Sequence, residues 1–169
     1  MIFNDTIHRL LGNTWVARLF NHLHGTVELF LMKGYKDKKI INMIKGLRRE
    51  GHFLFKPSEI FHIHSVAKAC VKLSGDYAEV GVYNGTSAKV ICLEKGKKPL
   101  YLFDTFSGLP ETISTDKRFS KKMFVSSLEK VQLRLKNYSN VHIYQGFFPN
   151  TSAPVKDKQF AFVHLDVDI

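Results

Sequence analysis

Residues 76–87 read Asp76-Tyr77-Ala78-Glu79-Val80-Gly81-Val82-Tyr83-Asn84-Gly85-Thr86-Ser87, and this stretch decides the fold. Its first part, residues 77–82, is a short apolar run that predicts a buried β-strand. A loop containing Gly81 and Gly85 follows, and residues 88–94 then predict a helix. A strand, a glycine-bearing loop and a helix in this order are typical of the opening unit of a doubly wound α/β sheet.

The same alternation continues along the chain. Three further apolar runs predict strands, at residues 100–103, 141–144 and 160–165. A helix is predicted over residues 58–73 with Ser58 as its N-cap, and another starts at a capping box formed by Ser126 and Glu129. Because strands alternate with helices, we expect a parallel sheet with right-handed crossovers.

The first 55 residues differ from the rest. Apolar residues recur at three- and four-residue spacing over residues 10–31 and 39–47, which predicts helices. Residues 33–49 also carry seven Lys and Arg side chains. We therefore predict a basic helical N-terminal extension at residues 1–55 and an α/β domain at residues 56–169.

The composition is that of a globular protein, with 44% apolar and 24% charged residues. No apolar run approaches the roughly 20 residues of a membrane-spanning helix, and the first residues lack a signal-peptide pattern, so we expect a cytoplasmic protein. The net charge of +10 invites a nucleic-acid partner. However, the charge falls into separate patches without interleaved aromatic residues, at 33–49, 95–98 and 117–122, which favours solvated or membrane-proximal basic faces. Cys70 and Cys92 lack metal-type spacing and are expected to be buried and reduced.

Ligands of doubly wound sheets bind beyond the carboxyl ends of the strands, so the residues that end each strand are the candidate site residues. Gly81 and Gly85 let backbone approach a ligand, and the helix amides beyond them attract an acceptor. Asp104 ends the second strand, where a carboxylate can accept both ribose hydroxyls of an adenosine cofactor. A loop-capping aspartate is an equal alternative at this position.

The ends of the last two strands carry further candidates. The third ends at Gly146, and Phe147 beside it can stack on a base or simply belong to the core. On the fourth, alternation places His164, Asp166 and Asp168 on one face. Two buried carboxylates side by side would need a compensating cation such as magnesium, whereas solvated acids at an exposed strand end would not.

Four strings together resemble the macrocin O-methyltransferase family of class I S-adenosylmethionine-dependent methyltransferases. They are residues 76–87, the Leu-Phe-Asp-Thr-Phe-Ser-Gly-Leu-Pro-Glu of 102–111, the Gly-Phe-Phe-Pro-Asn-Thr of 146–151, and the Phe-Val-His-Leu-Asp-Val-Asp of 162–168. The resemblance covers residues 56–169. It implies a Rossmann-like doubly wound sheet with the first strand central, and methylation of hydroxyls, typically on sugars of natural products or glycans, with S-adenosylmethionine and magnesium.

The resemblance also assigns roles to residues. It implies cofactor contacts from Glu79, Gly81, Gly85 and Ser87 at the methionine end, Asp104 at the ribose with Phe106 beside it, and Gly146 and Phe147 at the adenine. It implies catalytic roles for Asp166, as metal ligand and base, and for its neighbour Asp168. The family's other metal ligands, an Asp-Asp pair, come from a later strand, so we expect a sheet that is incomplete at its C-terminal end and has the fourth strand at its edge.

Other functions stay open. A non-catalytic remnant that binds the cofactor or a partner is the main alternative to an O-methyltransferase. An RNA methyltransferase would use the positive charge, but the chain lacks the Asn-Pro-Pro-Tyr or catalytic cysteine strings of base methylation. The expected partner is a saccharide or other small-molecule acceptor, and the sequence leaves homo-oligomerisation open.

Overall fold

The computed structural model describes residues 15–50, 55–108 and 124–167. Three helices come first: α1 Trp15–Met32, α2 Lys38–Arg49 and α3 Pro57–Cys70. The sheet region follows, with β1 Asp76–Val80, α4 Thr86–Glu94, β2 Leu100–Asp104, α5 Leu128–Leu135, β3 Val141–Gln145, a 3-10 turn Ala153–Val155 and β4 Phe160–Leu165. None of the described helices is long and apolar enough to cross a membrane.

The chain divides into two compact units, residues 1–61 and 62–169. In the first, the Asp37 side chain caps α2 by accepting a hydrogen bond from the Lys39 backbone N–H at 2.6 Å. Arg48 of α2 donates to the carbonyl oxygen of His22 in α1 at 3.1 Å. A Cβ on Gly25 would lie 2.1 Å from the Arg48 guanidinium, so the glycine makes room for this contact. The domain boundary at residues 55 and 56 stays a prediction.

The second unit is built on a four-stranded parallel sheet in the order β3-β2-β1-β4. The α/β fold and the central position of the first strand are therefore confirmed. One cluster of the core consists of Ala78, Val80, Tyr101, Phe103 and Val155. Alternate residues of β1 and β2 supply four of these five side chains, as the two-residue period of a strand requires.

This unit contains two unpaired cysteines and the buried Tyr77. Cys92 is buried, and burial raises the pKa of its thiol to about 12, while Cys70 is half-buried and both are unpaired thiols. The buried Tyr77 hydroxyl donates to the carbonyl oxygen of Ala67 at 2.7 Å. Burial raises the pKa of Tyr77 to about 12. The prediction of reduced cysteines is confirmed, but full burial holds for Cys92 alone.

Both predicted helix starts are corrected. Helix α3 begins at Pro57, and Lys56 is its N-cap because the Lys56 carbonyl accepts the first helical hydrogen bond, from Ile60. The Lys56 N–H donates to the Glu59 carboxylate at 2.7 Å, which is half of a capping box, so Ser58 is not the cap. Helix α5 is capped by Ser127 instead of Ser126. Two adjacent serines offer the same hydroxyl, and the sequence does not distinguish them.

Two of the three lysines in the patch at residues 95–98 do not form the solvated basic face that the sequence suggested, and Lys97 alone is exposed. Lys95 is 1% exposed and its Nζ donates to the carbonyl oxygens of Lys98 and Ser139 at 2.7 and 2.8 Å. Lys98 Nζ donates to the carbonyl oxygens of Leu73 and Gly75. These lysines hold loops together by satisfying backbone acceptors, a role that hydrophobic periodicity does not reveal.

We expect Lys95→Met to lower the free energy of unfolding by about 2 kcal/mol, because it leaves two partly buried carbonyl groups without their donor. The exposed Lys97 supplies the matched control, and Lys97→Met should change stability by less than about 0.5 kcal/mol. Urea denaturation followed by circular dichroism measures both. Equal effects of the two substitutions would contradict the structural role of Lys95.

Candidate functional site

The carboxyl ends of the four parallel strands meet at one edge of the sheet. This edge therefore collects the residues that follow Val80, Asp104, Gln145 and Leu165. Strands β2 and β3 lie on one side of β1 in the sheet, and β4 lies on its other side. The point where the strand order reverses lies between β1 and β4, and such points form the ligand crevice of open α/β sheets.

Gly81 stands at this reversal point. Its φ is +87°, and a Cβ built on it would lie 2.1 Å from the backbone carbonyl oxygen of Asp166. The Asp166 N–H donates to the Val80 carbonyl at 2.9 Å, which holds the end of β4 against β1. In this structure the glycine thus allows the close approach of the chain's own backbone, where the sequence suggested the approach of a ligand.

The loop between β1 and α4 is held from both sides. Gly85 is the N-cap of α4 at φ +77°, and a Cβ there would lie 3.2 Å from a methyl of Val131 in α5. The Asn84 side chain accepts from the Thr86 N–H at 3.1 Å and from the Thr86 hydroxyl at 2.7 Å. Arg134 of α5 donates to that hydroxyl at 2.7 Å. Sequence reasoning missed Arg134, because its partner, Thr86, is 48 positions away along the chain.

Ser87 is buried in the first turn of α4, and Glu79 of β1 is fully buried. Glu79 Oε1 lies 2.8 Å from His164 Nδ1 on β4, where the two residues are register partners in the sheet. The other oxygen, Oε2, makes no hydrogen bond with the described residues. A buried carboxylate oxygen without a donor is unfavourable, so this oxygen is a site for a donor from elsewhere.

The charges of this pair depend on each other. Burial raises the pKa of Glu79, and the hydrogen bond and charge of His164, with the Ser87 hydroxyl, oppose the rise. Burial alone would lower the pKa of His164, but the hydrogen bond to Glu79 and the charges of Glu79 and Asp166 raise it overall. Both groups therefore hold a proton more readily than usual, and the 2.8 Å contact between Glu79 Oε1 and His164 Nδ1 places that proton between them at the β1–β4 reversal point.

Asp104 accepts three backbone hydrogen bonds. Its Oδ2 accepts from Val82 at 2.7 Å and from Tyr83 at 2.8 Å, and its Oδ1 accepts from Phe106 at 2.6 Å. Phe106 is buried and has φ +57°. Of the two roles that the sequence left open for Asp104, loop capping is present in the structure, and the ribose contact stays a prediction.

The residues that follow β3 are mostly exposed. Gly146 donates its N–H to the Asp104 carbonyl at 2.9 Å and has φ +144°, and a Cβ there would lie 2.7 Å from a Thr151 methyl. Phe147 is 50% exposed and so offers a free ring face. Phe148 instead packs edge-on against Phe103 at 5.3 Å between ring centroids. Phe147 is thus the ring of the two that is available for stacking.

Asp166 lies just beyond the end of β4. The strand ends at Leu165, and the Asp166 side chain is exposed. Asp168 lies outside the described residues. Of the two alternatives that the sequence left open at this strand end, a solvated acid is the one present at Asp166, and its catalytic and metal-binding roles stay predictions. Within the described ranges, no three His, Cys, Asp or Glu side chains are grouped to hold a metal ion.

Comparisons with known proteins agree with this fold. The sequence model of the macrocin O-methyltransferase (TylF) family matches residues 61–169. The crystal structure of CalS11, a calicheamicin methyltransferase, superposes with a TM-score of 0.57 at 15% identity, over 87% of this chain and 67% of that one. The apo structure of CalS11, a TDP-rhamnose 3'-O-methyltransferase, gives 0.48 at 13% identity over the same shares. A search of curated protein sequences gave no match.

Proposed function

Because the chain belongs to the macrocin O-methyltransferase family and is an O-methyltransferase by that membership, we propose that it uses S-adenosylmethionine to methylate a hydroxyl of a sugar, glycan or natural product. The observation that carries this proposal is the family match over the region that contains all four strand ends. The reversal of strand order between β1 and β4 supports it, since this is where such sheets bind their ligands.

The residues at the strand ends suit the cofactor's chemistry. The buried Glu79 Oε2 lacks a donor among the described residues, and the methionine ammonium is a donor of the opposite charge. We assign the methionine end to Glu79, Gly81, Gly85 and Ser87, the ribose side to the loop that begins at Asp104 and includes Phe106, and the adenine side to Gly146 and Phe147. Because Glu79 is fully covered, an ammonium reaches its carboxylate only after neighbouring side chains move.

A bound S-adenosylmethionine would supply an electrophilic methyl group on its sulfonium, and it would leave as S-adenosylhomocysteine once the methyl–sulfur bond is broken. The protein's task is then to align an acceptor hydroxyl with that methyl and to remove the hydroxyl proton as the new carbon–oxygen bond forms. Asp166 is the proposed base, because its exposed carboxylate extends from a backbone that is fixed to Val80 and Gly81 at the reversal point. Asp168 is proposed as the acidic neighbour.

A magnesium site at this strand end would need oxygen ligands in addition to Asp166. One described carboxylate, Asp166, does not form a magnesium site, which needs several oxygen ligands. Asp166 stays proposed as one ligand, and Asp168 lies outside the described residues. The proton transfer above depends only on the Asp166 carboxylate.

Transfer of a labelled methyl group from S-adenosylmethionine to a panel of sugars, glycosides and a small RNA tests the function. We expect Asp166→Asn to slow transfer to a glycoside by roughly 100-fold, since loss of a general base costs this much. Its affinity for S-adenosylhomocysteine, measured by calorimetry, should stay within about twofold of wild type. Asp157→Asn, at an exposed aspartate away from the strand ends, is the matched control and should leave both unchanged.

Three outcomes would contradict parts of this proposal. Full activity of Asp166→Asn would remove Asp166 from catalysis. Binding of S-adenosylhomocysteine without transfer to any acceptor would support the non-catalytic alternative. Methylation of the RNA alone would support the nucleic-acid alternative.

A further inference from the structure

The carboxylate of Asp104 joins two loops at the ligand edge of the sheet. It accepts hydrogen bonds from the Val82 and Tyr83 amides in the loop after β1 and from the Phe106 amide in the loop after β2. Its own carbonyl accepts from Gly146 after β3. One residue therefore contacts the loops that follow three of the four strands.

The loops that Asp104 holds contain residues in unfavourable conformations. Tyr83 has φ 49° and Phe106 has φ 57°, and neither is a glycine. Side chains with a Cβ rarely adopt this left-handed region, and they keep it only where surrounding contacts enforce it. Hydrogen bonds from amides to a carboxylate are among the stronger contacts available for this purpose. The Asp104 carboxylate binds the amides of both residues.

The number of acceptor positions on the Asp104 carboxylate distinguishes this role from a ribose contact. A carboxylate has about four lone-pair positions. Three of them at Asp104 are used by backbone amides at 2.6 to 2.8 Å. To accept both ribose hydroxyls it would need two free positions, and about one remains.

We infer that Asp104 is a positioning residue, which shapes the cofactor site by holding the loops after β1 and β2, and that it contributes to cofactor affinity through these loops instead of through the ribose diol. The inference rests on the proposed use of S-adenosylmethionine. The hydrogen-bond donors to the Asp104 carboxylate are then the Val82, Tyr83 and Phe106 amides, and not the two ribose hydroxyls.

A thermodynamic cycle tests the inference. Wild type and Asp104→Ala are titrated with S-adenosylhomocysteine and with its 2',3'-dideoxyribose analogue. We expect the substitution to weaken both ligands by about tenfold or more, and by the same factor within about twofold, because it acts on the loops. A variant that loses affinity for S-adenosylhomocysteine alone, with the dideoxy analogue unaffected, would overturn the inference in favour of a direct ribose contact.

Asp104→Asn provides a second variant in case Asp104→Ala does not fold. Its amide oxygen keeps about two acceptor positions, so we expect a smaller loss that is again equal for the two ligands. Asp157→Ala, at an exposed aspartate, is the control and should bind both ligands as wild type does.

Amide hydrogen exchange without ligand gives an independent readout. The Val82, Tyr83 and Phe106 amides should exchange faster in Asp104→Asn than in wild type, while amides in the centre of β2 stay protected. Unchanged exchange at all three amides would contradict the loop role. If wild type does not bind S-adenosylhomocysteine, the proposed function fails, and the exchange result still decides whether Asp104 holds the loops.

Discussion

Replacing Gly81 by alanine is expected to lower the free energy of unfolding by about 2 to 5 kcal/mol. The left-handed φ of +87° costs an alanine about 1 to 2 kcal/mol. The new Cβ would also lie 2.1 Å from the carbonyl oxygen and 2.8 Å from the carbonyl carbon of Asp166, and overpacking of this kind costs about 1 to 3 kcal/mol. Both clashing atoms are backbone, so no side-chain rotation relieves the contact.

Relief of the clash would have to move the end of β4. That movement would break the hydrogen bond from the Asp166 N–H to the Val80 carbonyl. It would also displace the carboxylate that we propose as the base. A Gly81→Ala protein that still folds should therefore lose methyl transfer as well as stability.

Gly46→Ala is the matched control. Gly46 lies inside α2, has no left-handed φ and has nothing within 4 Å of an added Cβ. There alanine should stabilise the protein by about 0.5 to 1 kcal/mol, because it restricts the unfolded chain and favours the helix. Urea denaturation of both variants measures the difference, and a Gly81→Ala protein as stable as wild type would show that β4 does not approach β1 this closely.

The fold could be predicted because its signals are local. Each strand of the sheet is an apolar run of five or six residues between loops, and each predicted run overlaps a strand of the structure. The strand order β3-β2-β1-β4 came from the resemblance, which the parallel sheet confirms. Cap positions were less certain, since Ser126 and Ser127 carry the same hydroxyl one residue apart.

The contacts of the candidate site could not be predicted, because they depend on register between distant segments. Glu79 and His164 are 85 positions apart and meet only because β1 and β4 pair in one particular register. The same holds for Asp104, whose amide partners in the loop after β1 lie 21 and 22 positions away. Sequence reasoning identified these residues as polar groups at strand ends and predicted that they contact a ligand. In the structure, their hydrogen-bond partners are groups of the protein itself.

The buried pair of Glu79 and His164 gives the second large prediction. Removal of one partner of a buried ion pair leaves the other charge uncompensated and costs about 3 to 5 kcal/mol. His164 keeps 20% of its side chain exposed, so water compensates in part. We therefore expect Glu79→Gln to cost about 2 to 3 kcal/mol in unfolding experiments, somewhat below this range. The exposed-site control Asp157→Asn should cost less than about 0.5 kcal/mol.

A double-mutant cycle separates pairing from packing. If Glu79→Gln and His164→Asn act through one interaction, the double variant should be more stable than the sum of the single losses predicts, by about 1 to 2 kcal/mol. Additive losses would mean that the two residues stabilise the sheet independently. Tests of S-adenosylhomocysteine binding on the same three variants report whether the pair also serves the proposed methionine end.

The pH dependence of the stability tests whether His164 is charged in its pair with Glu79. The pKa of His164 in the folded protein is raised above its usual 6.5, with burial opposing and the hydrogen bond and charge of Glu79, together with the charge of Asp166, favouring the rise. A group with a raised folded-state pKa stabilises the protein below its unfolded pKa, and this stabilisation is lost as pH rises through the folded value.

The stability difference between wild type and Glu79→Gln should therefore be largest near about pH 6 and smaller by about pH 9. The measurements start at about pH 6 because burial raises the pKa of Glu79 above its ordinary value of 4.5. At lower pH, protonation of the Glu79 carboxylate would also change the stability difference. Urea denaturation at four or five pH values measures the difference. A difference that grows toward high pH would mean that His164 is neutral throughout, and that its ring meets the Glu79 carboxylate only as a neutral hydrogen-bond donor.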